Sequence, residues 1–192
     1  VVAQQRRVRN TGSQIDLLNF DACIMSTLEV AYELKDTAKF MVGSQFNEPG
    51  EGENYTMFLT PMAAKPTMSP RELSEVLVYQ YSLNYQNRSS INYAAIDMSR
   101  VGNFVAQFNG SIGVVNGSPT KNNVSKAFSS GSFDLVTGLN SARAAATADP
   151  NSASALDALL VSYGDPKEAI ERSSSQESVR SGFSVTRFFP GV

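Results

Sequence analysis

The amino-acid sequence predicts an α/β layer fold with mainly parallel strand pairing. Three short apolar runs of the kind found in buried strands alternate with three segments of helical periodicity. Two of these helical segments begin with a serine followed three residues later by a glutamate, which is a capping signal. With 192 residues, the chain can bury a substantial core as one large domain, or as one domain with an appendage.

The first elements follow a polar arm. Residues 1–14 are polar and rich in arginine, so we expect an exposed arm. The run IDLLNF at residues 15–20 then predicts a buried strand, and Ser26 with Glu29 predicts the cap of the next helix. One side of that helix carries Thr27, Val30, Ala31, Leu34 and Ala38.

The next strand and helix are separated by a loop. FMVGSQ at residues 40–45 predicts a second strand, and NEPGEGEN at residues 47–54 predicts a loop because its proline and glycines exclude regular structure. The segment from Ser69 to Glu72 has the cap, first-turn proline and acid that begin a helix. SINYAAIDM at residues 90–98 predicts a third strand. The apolar face of the helix after it carries Val101, Phe104, Val105 and Phe108.

The later part of the chain changes in composition. Glycine, serine and asparagine dominate residues 109–132, which predicts a long connection. Helical patterns return at about residues 134–147 and 153–163, and FSVTRFF at residues 183–189 predicts a final strand.

Composition excludes several classes of function. A formal net charge of −2 provides no basic field for nucleic acid. The chain has one cysteine and no histidine, so it cannot form an intrachain disulfide and lacks the commonest general base and zinc ligand. No apolar run approaches the roughly 20 residues that span a bilayer.

The single cysteine, Cys23, stands where the first predicted strand ends and shortly before a capped helix. Ligands of open α/β sheets gather at this edge, and a helix N-terminus favours a thiolate. If the strand pattern continues, Asp21 and Cys23 point to the same side. A neighbouring carboxylate disfavours a thiolate, so Asp21 is better suited to attract a cationic substrate group. The alternative is simple packing, because free cysteine is among the most buried residue types.

The segment FDACIMSTLEVAYELKDTAKFMVGSQFNEPGEGENY, residues 20–55, resembles the signature block of the clostripain family of bacterial cysteine peptidases, which is grouped with caspases, gingipains and legumain. The similarity continues through MSPRELSEVLVYQY and SSINYAAIDMSRV, and more faintly through residues 165–190. It is strongest between about residues 14 and 105. The FDAC block and the EPG loop at this spacing form a specific signal.

The resemblance implies a caspase-like fold and a cysteine–histidine dyad that cleaves peptides after arginine or lysine. Cys23 matches the nucleophile of the family, and its backbone N–H is placed to help hold the oxyanion. Asp21 matches an acid near the primary pocket, and Glu51 occupies a position that often carries an acid, so both are candidate cation-binding residues. Glu53 stands where the family tends to have an aromatic residue, which leaves the shape of the pocket rim open.

The absence of histidine predicts a partner chain that supplies this residue. In caspases the histidine lies about 50 residues before the cysteine, whereas only 22 residues precede Cys23. Clostripain relatives mature by internal cleavage, so the chain resembles a heavy, C-terminal product whose light chain carries the histidine. A start at Val1 fits such processing, although a removed leader explains it equally well, and the arm at residues 1–14 would lie near the cut. Residues 15–110 would then form the C-terminal part of the caspase-like domain, and residues 111–192 a mostly helical extension with a final strand.

Other implications concern calcium, location and rival functions. Family members often depend on calcium, and Glu48, Glu51 and Glu53 carry oxygen atoms suited to it, although no calcium-loop spacing is present. The family also implies a secreted, periplasmic or cell-surface protein. A catalytically inert caspase-like scaffold is the alternative function. A regulatory or carbohydrate-associated subunit is a third, suggested only by the serine- and asparagine-rich later half.

Overall fold

A computed structural model describes residues 12–88, 91–129 and 134–163. Within them, strands β1 (Ile15–Asn19), β2 (Ala38–Gly43) and β3 (Ala94–Asp97) form one sheet in the order β1–β2–β3. β1 pairs with β2 in parallel, but β2 pairs with β3 antiparallel. The described sheet is therefore mixed, and the prediction of mainly parallel pairing is wrong for β3.

Seven helices accompany the sheet in the part of the chain that the structure describes. Their bounds are α1 (Leu28–Leu34), α2 (Tyr55–Ala64), α3 (Pro70–Asn84), α4 (Met98–Asn116), α5 (Lys121–Ser129), α6 (Leu135–Ala145) and α7 (Pro150–Tyr163).

The antiparallel strand follows from the two helices between β2 and β3. Arg71, at the start of α3, lies 3.5 Å from the carboxylate of Asp97, the last residue of β3. At the other end of α3, the Tyr85 hydroxyl donates to the carbonyl of Gly52, in the loop that follows β2. Because α2 and α3 together return the chain to the end of the sheet where β2 stopped, β3 must run back beside it.

Local capping signals fix the helix starts. The predicted cap at Ser69 is confirmed, because its hydroxyl accepts from the Glu72 N–H at 3.2 Å and the Glu72 carboxylate accepts from the Ser69 N–H at 2.8 Å. The predicted cap at Ser26 is one residue early. Thr27 caps α1, and its hydroxyl accepts from the Val30 N–H at 3.1 Å.

The predicted long connection at residues 109–132 is wrong where it is described. α4 continues without a break to Asn116, and α5 follows it. Apolar side chains extend the buried stripe of α4 to Ile112 and Val115, and this packing outweighs the low helix propensity of its glycines. The predicted division at residue 110 therefore falls inside a helix.

The core lies on both faces of the sheet. Met41 and Ile96 belong to a cluster with α1 and α4, whereas Val42 and Ala95 belong to a cluster with α3. This alternation is the period of two that a strand between two helical layers requires. The first cluster continues into α5, α6 and α7, so the helical extension shares a core with the sheet. These two layers leave the ends of β1 and β2 open.

Some predictions lie outside the described residues. They include the strand at residues 183–189 and the arginines of the arm, whereas residues 12–14 at the end of the arm are exposed. Among the helices that the structure describes, none combines the length and the apolar character that crossing a membrane requires.

Candidate active site

The ends of the two parallel strands meet at one edge of the sheet. Backbone hydrogen bonds continue past both strands, from the Phe20 N–H to the Val42 carbonyl at 3.0 Å and from the Ile24 N–H to the Phe46 carbonyl at 3.0 Å. The segment after β1 therefore lies against the segment after β2. Side chains from both segments can act together there, at the edge where open α/β sheets bind ligands.

Cys23 lies at this edge and is exposed. The packing alternative therefore does not hold. Its sulfur accepts a hydrogen bond from the backbone N–H of Glu48, with an N–S distance of 3.3 Å. This contact places the loop after β2 directly beside the sulfur.

Asp21 is held two residues before the sulfur by the same loop. One carboxylate oxygen accepts from the Glu53 N–H at 3.1 Å, and the other accepts from the Tyr55 hydroxyl at 2.9 Å. Gly52 allows this approach, because it has a φ of +67° and a Cβ placed there would lie 3.1 Å from Asp21 Oδ2. β1 ends at Asn19, so the strand pattern does not continue to Cys23 as the sequence suggested; instead, the loop after β2 contacts both Asp21 and Cys23.

Glu51 lies in the same loop, but its side chain pairs with an arginine of the protein itself. It is exposed, and its carboxylate accepts from the guanidinium of Arg88 in an ion pair. Hydrogen bonding to its own backbone N–H, and then to Arg88, lowers the pKa of Glu51. Its carboxylate is therefore ionised and already has a partner.

Sequence reasoning missed the structural role of Glu53. This side chain is buried, and its carboxylate accepts from the Asn19 amide at 2.8 and 2.7 Å and from the Tyr93 hydroxyl. Burial raises the pKa of Glu53, while the hydrogen bonds from Tyr93 and Asn19 oppose the rise. Glu53 therefore ties the loop to β1 and to the residue before β3. No local signal predicts this, because the contacts come from distant parts of the chain.

Glu48 is the second missed residue. Both of its carboxyl oxygens are buried, and the carboxyl group lies against the Asp21 carboxylate and the Ala22 N–H. Burial first, and then the carboxylates of Glu53 and Asp21, raise the pKa of Glu48 to about 8. An acid with such a pKa next to a candidate nucleophile is typical of functional sites.

Two of the three loop acids named for calcium already have partners within the chain. The carboxylate of Glu51 is paired with Arg88, and that of Glu53 is taken by Asn19 and Tyr93. Within residues 12–88, 91–129 and 134–163, no group of three acidic, cysteine or histidine side chains is arranged to hold a metal ion. A calcium requirement stays a prediction from the family resemblance.

The backbone beside the sulfur is strained. Ile24 has a φ of +57°, which a β-branched residue rarely adopts, and its side chain is 46% exposed. Such a conformation costs on the order of 1–3 kcal/mol.

The first prediction tests that strain. Ile24→Gly removes the steric conflict and loses little buried surface, so we expect the free energy of unfolding to rise by about 1 kcal/mol. The loosened turn should also lower turnover, because the sulfur is less well positioned. Chemical denaturation and peptide hydrolysis measure the two effects. Ile24→Ala is the control, since it shortens the side chain but keeps the strain; equal stability of the two variants would contradict the argument.

Comparisons with known proteins agree on one family. A model of the clostripain family matches residues 2–140. No curated protein matches the chain significantly. Several solved structures resemble the chain closely enough to establish a common fold.

Three of them illustrate the likeness. A clostripain from Bacteroides thetaiotaomicron in complex with the peptide inhibitor BTN-VLTK-AOMK has a TM-score of 0.59 and 16% identity, over 94% of this chain and 82% of that one. A cysteine protease of B. fragilis has a TM-score of 0.58 and 17% identity, over 99% and 84%. A secreted C11 cysteine protease from B. thetaiotaomicron has a TM-score of 0.61 and 16% identity, over 93% and 51%. At these identities the likeness concerns the fold alone.

Proposed function

The chain belongs to the clostripain family of cysteine peptidases, and on this basis we propose that it carries the nucleophile and cation pocket of an endopeptidase that cleaves after arginine or lysine. One observation carries the proposal. An exposed cysteine sulfur lies at the open end of two parallel strands, with the carboxylate of Asp21 fixed two residues away.

Cys23 supplies the nucleophile of the reaction. Its thiolate attacks the carbonyl carbon of the bound arginine or lysine residue. The Cys23 backbone N–H helps to hold the oxyanion that forms. When the tetrahedral intermediate collapses, the carbon–nitrogen bond breaks and a histidine gives its proton to the leaving amine. Water then attacks the thioester, which releases the acid and restores the thiol.

Asp21 supplies the charge that selects the substrate. Each of its oxygens accepts one hydrogen bond from the chain, and an ionised carboxylate has about four acceptor sites, so two remain for a guanidinium or ammonium group. Glu51 can add a second acid, because its ion pair with Arg88 is exposed and therefore weak. The inhibitor bound to the B. thetaiotaomicron clostripain supports a basic residue at this position, since lysine is the last of its four residues.

The histidine must come from another chain or segment, because these 192 residues contain none. We assign it to a light chain of the same precursor. In the described sheet, β1 pairs only with β2, so its other edge is free for a strand of that light chain. Covering this edge also removes an aggregation hazard. Secretion is part of the proposal, and it is supported by the similar protein that is itself secreted.

A matched pair of substrates tests the proposal. Citrulline has nearly the shape of arginine but no charge, so we expect the native protein to hydrolyse an arginine peptide at least about 100-fold faster than the citrulline peptide. Release of a fluorescent amine from each peptide measures the difference. If the native protein cleaves neither these peptides nor a lysine peptide, the inert scaffold becomes the better explanation.

A further inference from the structure

We propose that Glu48 is a second specificity-determining residue of the cation pocket, and that it binds the charged end of the substrate side chain together with Asp21 while releasing a proton. This inference rests on the proposed function and adds a residue to its site. It is independent of Glu51, whose carboxylate is directed to Arg88.

The position of Glu48 follows from its backbone. Its N–H donates to the Cys23 sulfur at 3.3 Å, so its side chain begins directly beside the nucleophile. The segment that follows is fixed in turn, because Gly52 packs against Asp21 and the Glu53 N–H binds Asp21. Glu48 is therefore held close to both residues that the mechanism uses.

The carboxyl group of Glu48 lies against that of Asp21. Asp21 also receives the Glu53 N–H and the Tyr55 hydroxyl, and Glu53 receives Asn19 and Tyr93. Both oxygens of Glu48 are buried, its partners are the Asp21 carboxylate and the Ala22 N–H, and it takes part in none of the ion pairs found among the described residues. Two carboxyl groups in contact favour one shared proton over two negative charges. A guanidinium or ammonium group can replace that proton, because it donates to both carboxylates.

The electrostatic surroundings link this binding to a proton. The groups that face Glu48 are the acids Asp21 and Glu53, the Cys23 sulfur and the hydroxyls of four tyrosines, Tyr55, Tyr81, Tyr85 and Tyr93. None of them is a cation. Because burial and the two acids raise the pKa of Glu48 to about 8, it holds a proton at neutral pH. A bound substrate cation favours the ionised form, so the proton leaves to solvent as the substrate binds.

This arrangement solves a problem of like charges. In a pocket with several ionised acids, mutual repulsion between the carboxylates would destabilise the free protein. With Glu48 neutral in the free protein, that repulsion is smaller. The second negative charge appears only when a cation is present to balance it, which favours arginine and lysine over neutral side chains.

Glu48→Gln tests the role in specificity, because it keeps the shape of the side chain and removes its charge. We expect kcat/KM of the native enzyme for an arginine peptide to fall about 30- to 100-fold, while cleavage of the matched citrulline peptide stays within about twofold. Glu33→Gln is the control, since Glu33 is an exposed acid on α1, away from the site, and should change neither rate. An unchanged ratio of arginine to citrulline cleavage in Glu48→Gln would overturn the proposal.

Proton release is measured without altering Glu48. In Cys23→Ala, which removes the thiol, an arginine peptide should bind with release of about one proton at pH 7, seen by calorimetry as enthalpies that differ between phosphate and Tris buffers. The pKa of about 8 belongs to Glu48 in the free protein, so the affinity for the arginine peptide should rise with pH as Glu48 loses its proton. The rise should reach up to about tenfold per pH unit between about pH 6 and 8. Above about pH 8 the affinity should level off.

The outcomes separate the two proposals. Absence of proton release, or affinity independent of pH, contradicts the role of Glu48 even if Glu48→Gln fails to fold. If unmodified enzyme cleaves arginine peptides while both tests of Glu48 fail, only this inference is lost. If unmodified enzyme shows no such cleavage, the proposed function itself fails.

Discussion

Cys23→Ala is expected to lower kcat for arginine peptides by at least about 10³-fold, the largest effect of any single substitution in this chain. The sulfur is the only nucleophile that the mechanism uses, and no covalent intermediate forms without it. Steady-state hydrolysis by the native protein, with its light chain if the two copurify, measures the loss.

The side chain of Cys23 is exposed, so its removal should leave folding intact. An unchanged melting temperature together with lost activity separates a catalytic role from a structural one. Retention of more than about a tenth of the wild-type rate would show that another group attacks the substrate.

Asp21→Asn is expected to reduce kcat/KM for arginine and lysine peptides by roughly 100-fold, mainly through KM. Asparagine keeps an oxygen for the Glu53 N–H, so the loop should stay in place, but the charge that balances the substrate cation is gone. Kinetics with arginine and citrulline peptides measure the change, because the citrulline rate should barely move.

Asp16→Asn is the matched control for Asp21. Asp16 is an exposed acid on β1 whose carboxylate pairs with Lys39 at 2.6 Å, far along the strand from the sulfur. It should retain full activity. If Asp21→Asn and Asp16→Asn behaved alike, Asp21 would not be the main cation-binding residue.

The fold was predictable where short stretches carry the signal. A strand needs only an apolar run such as residues 15–20, and a helix start needs only a cap such as Ser69 with Glu72. These features depend on neighbours within a few residues, which a sequence displays directly.

Other elements depend on packing that no short stretch reveals. α2 has no buried residue and contains Pro61, so it shows no amphipathic stripe. The antiparallel direction of β3 follows from two helices in the preceding connection, one of them this unpredicted helix. The late part of α4 is helical because Ile112 and Val115 are buried, although its glycines favour a loop.

The loop acids show the same limit within the site. Glu48, Glu51 and Glu53 stand close together in a polar, glycine-rich segment, and only the family resemblance singled out Glu51 as a cation-binding residue. The structure separates them by contacts with distant residues: Glu51 with Arg88, Glu53 with Asn19 and Tyr93, and Glu48 with the Cys23 sulfur through its backbone. Long-range partners thus decide which acid forms an ion pair and which acids are buried.

Labelling with an arginine acyloxymethyl ketone, followed by peptide mapping, tests most directly whether Cys23 is a nucleophile beside a cation pocket. The electrophile should attach to Cys23 in the native protein, and an arginine peptide should slow the labelling while the citrulline peptide does not. Attachment at another residue, or a rate that an arginine peptide leaves unchanged, would contradict the account.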